Sequence, residues 1–152
     1  MSYTNAEGRT DLLDALGEAT DHLSRALAQL GVAYEALDEA AGDRMEERLF
    51  RPVQAAYGRA KRTHSEFAAR HGLDGREFAA APETGRHAGA RAAIEHAGDE
   101  LRLADDELGA LQDSMLPVEV GDAEVRAGIS ETRALLGPLP TAARELERIL
   151  GR

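Results

Sequence analysis

The chain has 152 residues, with 28 acidic side chains against 18 basic ones, a formal net charge of −10 and no cysteine. This length suits one domain, and the lack of cysteine excludes thiolate nucleophiles, disulfides and cysteine-ligated zinc or iron–sulfur centres. The negative charge disfavours binding to nucleic acid or to anionic membranes, because both depend on basic side chains. Alanine supplies 29 residues, whereas the aromatic residues are three Phe and three Tyr, a composition typical of closely packed helices.

The composition predicts a single helical domain over residues 1–152, with a flexible N-terminus over residues 1–9. The first ten residues are polar and lack the basic and apolar regions of a signal peptide. The sequence also contains no run of 18 or more apolar residues. We therefore expect a cytoplasmic protein that makes no membrane contact.

A first helix is predicted from about Thr10, its N-terminal cap, to about Ala41. Apolar residues recur along it at alternating steps of three and four and form a seam that neighbouring helices would cover. Its members are Leu13, Leu16, Thr20, Leu23, Leu27, Leu30, Tyr34, Leu37 and Ala41. Small residues recur every seven positions beside the seam, namely Gly17, Ser24 and Gly31 on one side and Ala19, Ala26, Ala33 and Ala40 on the other. We expect them to let neighbouring helices approach closely.

A second helix is predicted to begin at a capping box formed by Asp43 and Glu46 and to end at Gly72. Its seam consists of Phe50, Val53, Tyr57, Ala60, His64, Phe67 and His71. Pro52 leaves two alternatives open, since either the helix kinks there or a short helix over residues 43–50 precedes the main one.

Residues 72–86 form a long connection, with one helical turn expected around residues 76–80. A third helix follows, and its seam consists of His87, Ala90, Ile94, Ala97, Leu101, Ala104, Leu108, Leu111 and Met115. The fourth helix is capped by Asp122 and broken at Gly137–Pro140 into segments of about 122–136 and 140–150. Its seam keeps one phase across the break, which predicts two nearly coaxial helices in one column.

The four columns have matched lengths of about 45 Å at a rise of about 1.5 Å per residue. Matched lengths and continuous seams are typical of helical bundles. The predicted fold class is therefore all-α, an antiparallel up-down-up-down four-helix bundle with heptad-like packing.

That topology predicts that His71 and His87 meet near one end of the bundle, with His64 two turns deeper. Imidazole nitrogens bind Zn, Cu, Fe and haem iron, so His71 and His87 are the candidate metal ligands. Two ligands are an incomplete set, and the sequence lacks the inward Glu-x-x-His pairs of ferritin-like di-iron bundles. The alternative is that these histidines are capping or partly buried structural residues, and no cofactor is expected.

His22 suggests a different chemistry. A basic residue, Arg25, lies three positions after it and a small residue, Ala26, lies four positions after it. This run resembles the histidine-phosphotransfer pattern, although arginine stands where lysine and alanine where glycine would be expected. The resemblance implies that an exposed His22 imidazole accepts a phosphoryl group, and the alternative is a solvated surface histidine.

Other catalytic patterns are missing from the sequence, which offers neither a glycine-rich phosphate loop after a strand nor a Gly-x-Ser-x-Gly nucleophile elbow. We therefore expect a structural or protein-interaction module without catalytic activity, which docks an unknown protein partner or a second copy through helix faces. The two alternatives are a metal- or haem-binding bundle that uses His71 and His87, and a phosphoacceptor that uses His22.

Overall fold

A computed structural model describes residues 4–150 of the chain. The helices, in chain order, are α1 (Asn5–Ala36), α2 (Glu39–Met45), α3 (Arg51–Arg70), α4 (Gly89–Asp113), α5 (Leu116–Glu119), α6 (Ala123–Leu136) and α7 (Leu139–Leu150). A π-helical turn over Glu46–Phe50 joins α2 to α3, and a 3-10 turn over Arg86–Ala88 leads into α4. The described residues contain no strand. No helix among them is both long enough and apolar enough to cross a membrane.

α1 begins earlier than the sequence predicted, because Thr4 and Glu7 form a capping box. The Thr4 hydroxyl accepts the Glu7 N–H at 3.1 Å, and the Glu7 carboxylate accepts the Thr4 N–H at 3.4 Å. Thr10, the predicted cap, lies inside the helix and donates to the Ala6 carbonyl at 3.0 Å. The prediction of a flexible segment over residues 1–9 is therefore wrong for residues 5–9, and residues 1–3 lie outside the described part of the chain.

α1 ends at Ala36 rather than at the predicted Ala41. Leu37 adopts an extended conformation with φ −98° and ψ 153°, which turns the chain out of the helix. Asp38 then caps α2, because its Oδ1 accepts the N–H of Ala41 at 2.8 Å. The capping box predicted at Asp43 is wrong, since that residue lies inside α2.

Pro52 leaves the helix continuous. It is the second residue of α3 and has no N–H to donate to the carbonyl of Arg48. The backbone before it widens by one residue, so that the Arg51 N–H bonds to the Glu46 carbonyl five positions back. α2, the π-helical turn and α3 thus form one column.

The C-terminal cap of α3 confirms the prediction at Gly72. Gly72 has φ +65°, a left-handed conformation that glycine adopts without strain. The Leu73 N–H then bonds to the Ala68 carbonyl at 2.9 Å, and the Leu73 side chain packs against the core. This is the Schellman arrangement, and it directs the chain back towards α1.

Residues 72–86 run back along α1 without forming the helical turn predicted near residues 76–80. We call these residues the return segment. Hydrogen bonds and an ion pair with α1 hold them and the adjoining Arg86–Ala88 turn in place, among them Arg76 to the Gly17 carbonyl at 3.0 Å, Ala81 N–H to Ser24 Oγ at 2.9 Å, Gln29 to the Thr84 carbonyl at 3.2 Å, and Arg86 to Glu35 at 3.3 Å. The partners on α1 advance steadily from residue 17 to residue 35, so the segment spans most of the helix.

The stripe of Gly17, Ser24 and Gly31 faces the return segment. A Cβ atom on Gly17 would lie 3.1 Å from Arg76 Nη2, and one on Gly31 would collide with the Glu83 carboxylate. The small residues therefore make room for an extended segment. The expectation that a neighbouring helix would pack on this stripe is wrong. The alanine stripe on the other side, at residues 19, 26 and 33, is fully buried.

The return segment changes the order of the columns. Because it carries the chain back to the C-terminal end of α1, α4 runs parallel to α3, and these two helices lie diagonally across the core. α1 packs on α3 and α4, whereas α6 packs mainly on α3 and α7 on α4. The four long columns pack together as predicted, but their order is up, down, down, up. The predicted up-down-up-down order is therefore wrong.

The predicted division of the fourth column into two helices is confirmed. Its seam continues across the break between Leu136 and Leu139, and the seam residues Val125, Ile129, Thr132, Leu136, Leu139, Ala143 and Leu146 are all buried. Ion pairs from Arg59 to Glu131 and from Arg48 to Glu145 join both halves to the α2–α3 column. α6 and α7 therefore occupy one position in the packing.

Replacing Ser24 by alanine should release the centre of the return segment. The Ser24 hydroxyl is largely buried, accepts the Ala81 N–H and donates to the Ala79 carbonyl at 3.3 Å. Its loss leaves these two backbone groups without a partner, so we expect Ser24→Ala to lower the free energy of unfolding by about 1–3 kcal/mol. Urea denaturation measures this loss, and hydrogen exchange at the Ala81 amide should become faster.

Ser65→Ala is the matched control, because Ser65 is exposed on α3. It should leave both the stability and the exchange of the Ala81 amide unchanged. Equal exchange rates at Ala81 in the two variants would contradict the anchoring role of Ser24.

Candidate functional site

The structure places His71 in a polar cluster around the N-terminal cap of α6. His71 Nε2 lies 2.8 Å from Oδ2 of Asp122, and Arg70 donates to both carboxylate oxygens at 2.7 and 2.9 Å. Asp122 also accepts the Val125 N–H at 2.7 Å, which caps the helix. Burial raises the pKa of the Asp122 carboxyl, but Arg70, the Val125 N–H and His71 together outweigh it and hold that pKa well below its usual range. His71 thus contacts the carboxylate that caps α6.

His87 lies at the other end of the columns. It belongs to the exposed 3-10 turn before α4, next to Arg86, which reaches Glu35 near the end of α1. The predicted meeting of His71 and His87 is therefore wrong, because the return segment separates the two residues by most of the length of α1. Across residues 4–150, no three His, Asp or Glu side chains are grouped so that they could hold a metal ion.

His22 lies between α1 and α4 and contacts a carboxylate. Its Nδ1 is 2.7 Å from Oε2 of Glu100, and Arg25 lies 3.3 Å from the same oxygen and 2.9 Å from Nδ1. A carboxylate only accepts hydrogen bonds and a guanidinium only donates them, so Glu100 favours the tautomer with a proton on Nδ1, whereas Arg25 favours the tautomer in which Nδ1 accepts. The side chain keeps 21% of its surface exposed.

A pair of carboxyl groups lies beside His22 on the same two helices. Glu18 of α1 lies beside Glu107 of α4, and burial together with the nearby Glu18 carboxyl raises the pKa of Glu107. The interface of α1 and α4 thus combines an acidic pair with the histidine–carboxylate contact.

His64 borders a cleft between α1, α3 and the return segment, which we call the His64 cleft. Its volume is about 320 Å³, and it is lined by Leu13, Asp14, Gly17, Glu18, His64, Asp74 and Arg76. The imidazole packs edge-on against Phe78, with ring centroids 4.9 Å apart, and the Arg76 guanidinium lies 4.1 Å from the centre of the same Phe78 ring. The return segment therefore encloses a histidine that the sequence placed on a helix seam.

The His64 side chain is 97% buried, since its exposed fraction is 3%. Its Nδ1 is the one fully buried side-chain nitrogen or oxygen in residues 4–150 that lacks a hydrogen-bond partner. Burial, with Arg76 adding to the effect, lowers the pKa of His64, whereas Asp14 and Asp21 act in the opposite direction. An unpartnered buried polar atom costs about 1–3 kcal/mol, and because Nδ1 is fully buried, Nε2 at the wall of the cleft is the ring nitrogen that a ligand could reach.

A second concave surface lies between the α2–α3 column and the fourth column. It is a groove of about 650 Å³ lined by Arg48, Pro52, Ala134, Leu135, Pro138, Leu139, Thr141, Ala142 and Glu145. Leu135 keeps 36% of its surface exposed inside this groove, and the ion pair between Arg48 and Glu145 flanks it at 2.7 Å. We call it the α3–α7 groove. Its lining is mainly apolar, in contrast to the His64 cleft.

The sequence identified His64 as an inward polar residue but missed Asp74, Arg76 and Phe78 around it. These three residues come from the return segment, whose path the seams do not specify. The signal that could have indicated the path is the stripe of Gly17, Ser24 and Gly31, because side chains larger than serine would block it.

The depressed pKa of His64 makes the stability of the protein depend on pH. The unfolded chain binds a proton at this residue below about pH 6.5, whereas the folded chain does so only at a lower pH. The free energy of unfolding should therefore fall as pH decreases from 7 to 5, by at most about 1.4 kcal/mol per pH unit from this residue. Denaturation of wild type and His64→Gln at several pH values measures the difference.

We expect His64→Gln to reduce this loss and His87→Gln, at an exposed position, to retain it. The raised pKa of Glu107 and the lowered pKa of Asp122 also affect stability, but both residues are present in all three proteins, so their effects cancel in the comparison. A wild-type loss equal to that of His64→Gln would contradict a buried neutral imidazole.

Comparison with known proteins gives no match to this chain among protein-family models, curated proteins or solved structures. Candidate functions are therefore inferred from the chain's own geometry. Three places offer such geometry, namely the α3–α7 groove, the His22–Glu100 contact and the His64 cleft.

Proposed function

We propose that this chain is a helical interaction module without catalytic activity, and that it docks a basic amphipathic helix of a partner protein in the α3–α7 groove. The observation that carries the proposal is the apolar lining of this groove, with Leu135 exposed in it. Apolar surface gains about 25 cal/mol per Å² when a partner covers it. A groove between two helical columns suits a helix that presents apolar side chains at intervals of three and four residues.

The charge of the chain favours a basic partner over a second copy. A formal net charge of −10 attracts basic helices over long distances, whereas two copies of the chain repel each other. Arg48 and Glu145 flank the groove and form an ion pair with each other. The apolar floor between the columns is therefore the surface on which we expect a partner to dock. A partner helix therefore fits this surface better than a homodimer does.

A labelled helical peptide with leucines on one face and lysines on the other tests the proposal by fluorescence anisotropy. Wild type should bind it more tightly than it binds a scrambled peptide of the same composition. Leu135→Glu should weaken binding by at least about tenfold, or about 1.4 kcal/mol, because it places a charge in the apolar floor. Leu103→Glu is the matched control, since Leu103 is 47% exposed on α4, outside the groove.

Two kinds of outcome would contradict the proposal. One is an equal effect of Leu135→Glu and Leu103→Glu on binding, or equal binding of the scrambled peptide, because either would mean that the apolar floor of the groove does not select the helix. The other is a mass of twice 16.3 kDa by light scattering that Leu135→Glu returns to the monomer value, because the groove would then hold a second copy.

The contact between His22 and Glu100 favours a second candidate function, that of a histidine phosphoacceptor. In the tautomer in which Nδ1 donates to Glu100, the Nε2 lone pair can attack a phosphorus atom while the bond to the leaving group breaks. The imidazole becomes positively charged as the new bond forms, and Glu100 stabilises that charge at 2.7 Å. Arg25, 3.3 Å from Glu100, adds a positive charge near the ring that favours an anionic phosphoryl group.

Phosphoramidate tests this second candidate without a partner enzyme. Its phosphoryl group moves to Nε2, the P–N bond of the reagent breaks, and ammonia leaves. We expect an acid-labile phosphate on wild type that His22→Gln abolishes and Glu100→Gln forms at least about tenfold more slowly. His87→Gln, which replaces an exposed histidine outside this contact, should be labelled like wild type. Labelling that survives in His22→Gln, or none in wild type, would contradict this function.

A further inference from the structure

We propose that the His64 cleft binds a small aliphatic amine through its ammonium group. The proposal concerns a site separate from the α3–α7 groove and does not depend on the docking function. It depends on two independent observations, namely the charge of the cleft lining and the unpartnered nitrogen of His64.

The lining of the cleft contains more carboxylates than basic side chains. Arg76, its one guanidinium, is already engaged, because Nη2 donates to the Gly17 carbonyl at 3.0 Å and to Asp21 at 2.8 Å. Within residues 4–150, no ion pair engages Asp14 or Asp74. The cleft is therefore suited to a cation.

The imidazole adds a neutral acceptor to these carboxylates. His64 Nδ1 is buried without a partner, and Nε2 lies 3.7 Å from the position that a Cβ atom on Gly17 would take, at the wall of the cleft. The charged groups around the ring are Arg76 and Asp74 from the return segment and Asp14, Glu18 and Asp21 from α1; Arg76 opposes protonation of His64, whereas Asp14 and Asp21 favour it. Burial keeps the ring neutral near pH 7, so one of its nitrogens can accept a hydrogen bond.

An ammonium group matches this set better than a metal ion or an anion does. It has three donors, and the cleft offers carboxylate oxygens and an imidazole nitrogen as acceptors that need not all surround one atom, as the ligands of a metal ion must. The described residues offer no group of three His, Asp or Glu side chains able to hold a metal ion. The free carboxylates repel anions, and the volume of about 320 Å³ is at the lower end for small-molecule sites. These features indicate a short alkyl amine.

Isothermal titration of the intact protein with 1,4-diaminobutane tests the proposal. We expect saturable binding of one molecule per chain, weakened at least about fivefold by Asp74→Asn and by His64→Gln. Asp43→Asn is the matched control, because Asp43 is an exposed aspartate of α2 that makes no ion pair within residues 4–150. It removes the same charge and should bind like wild type. Binding should also weaken as His64 becomes protonated at low pH.

The chemistry of the ligand provides further controls. Tetramethylammonium has the charge of an amine but no N–H donor, so it should fail to compete. Asp74 is exposed in the return segment, so Asp74→Asn keeps the core intact and separates loss of binding from loss of folding. Equal affinities of Asp74→Asn and Asp43→Asn, competition by tetramethylammonium, tighter binding of Mg²⁺, or no saturable binding would each overturn the proposal.

Discussion

The contact between the return segment and α1 determines the arrangement of this protein. Three small residues, Gly17, Ser24 and Gly31, leave a shallow track along α1, and the Ser24 hydroxyl bonds to the backbone of Ala79 and Ala81. A larger side chain at any of these positions would press against the extended backbone or its side chains. The chain can therefore return along the helix only because this stripe is small and because its central member can satisfy backbone groups.

Both the column order and the candidate sites follow from this path. The chain enters α4 at the same end at which it left α1, so α3 and α4 are parallel and every pair of adjacent columns is antiparallel. The same path separates His71 from His87 and encloses His64, whose unpartnered nitrogen lies between α1, α3 and the return segment. The α3–α7 groove, by contrast, arises where Pro52 and the break near Pro138 face each other across two columns.

Much of the fold could be predicted from the sequence, because seams report which face of a helix is buried. The fourth column, its break and the glycine cap at Gly72 were predicted correctly for this reason. A seam does not indicate which neighbouring column covers it. Because both column orders bury the same seam residues, the seams could not distinguish between them. The 15 residues of the return segment can span up to about 50 Å, which permits either order. The His64 cleft depended on that path, so Asp74 and Arg76 could not be assigned to it.

A distance between the end of α3 and the start of α4 tests this account most directly. The chain has no cysteine, so Ala69→Cys and Ala88→Cys, both at exposed positions, allow two spin labels to be placed in an otherwise unreactive protein. Residues 69 and 88 lie level with opposite ends of α1, so double electron–electron resonance should give a separation of at least about 30 Å. A separation near the interhelical distance of about 10 Å, widened only by the label linkers, would contradict the return along α1 and restore the up-down-up-down order.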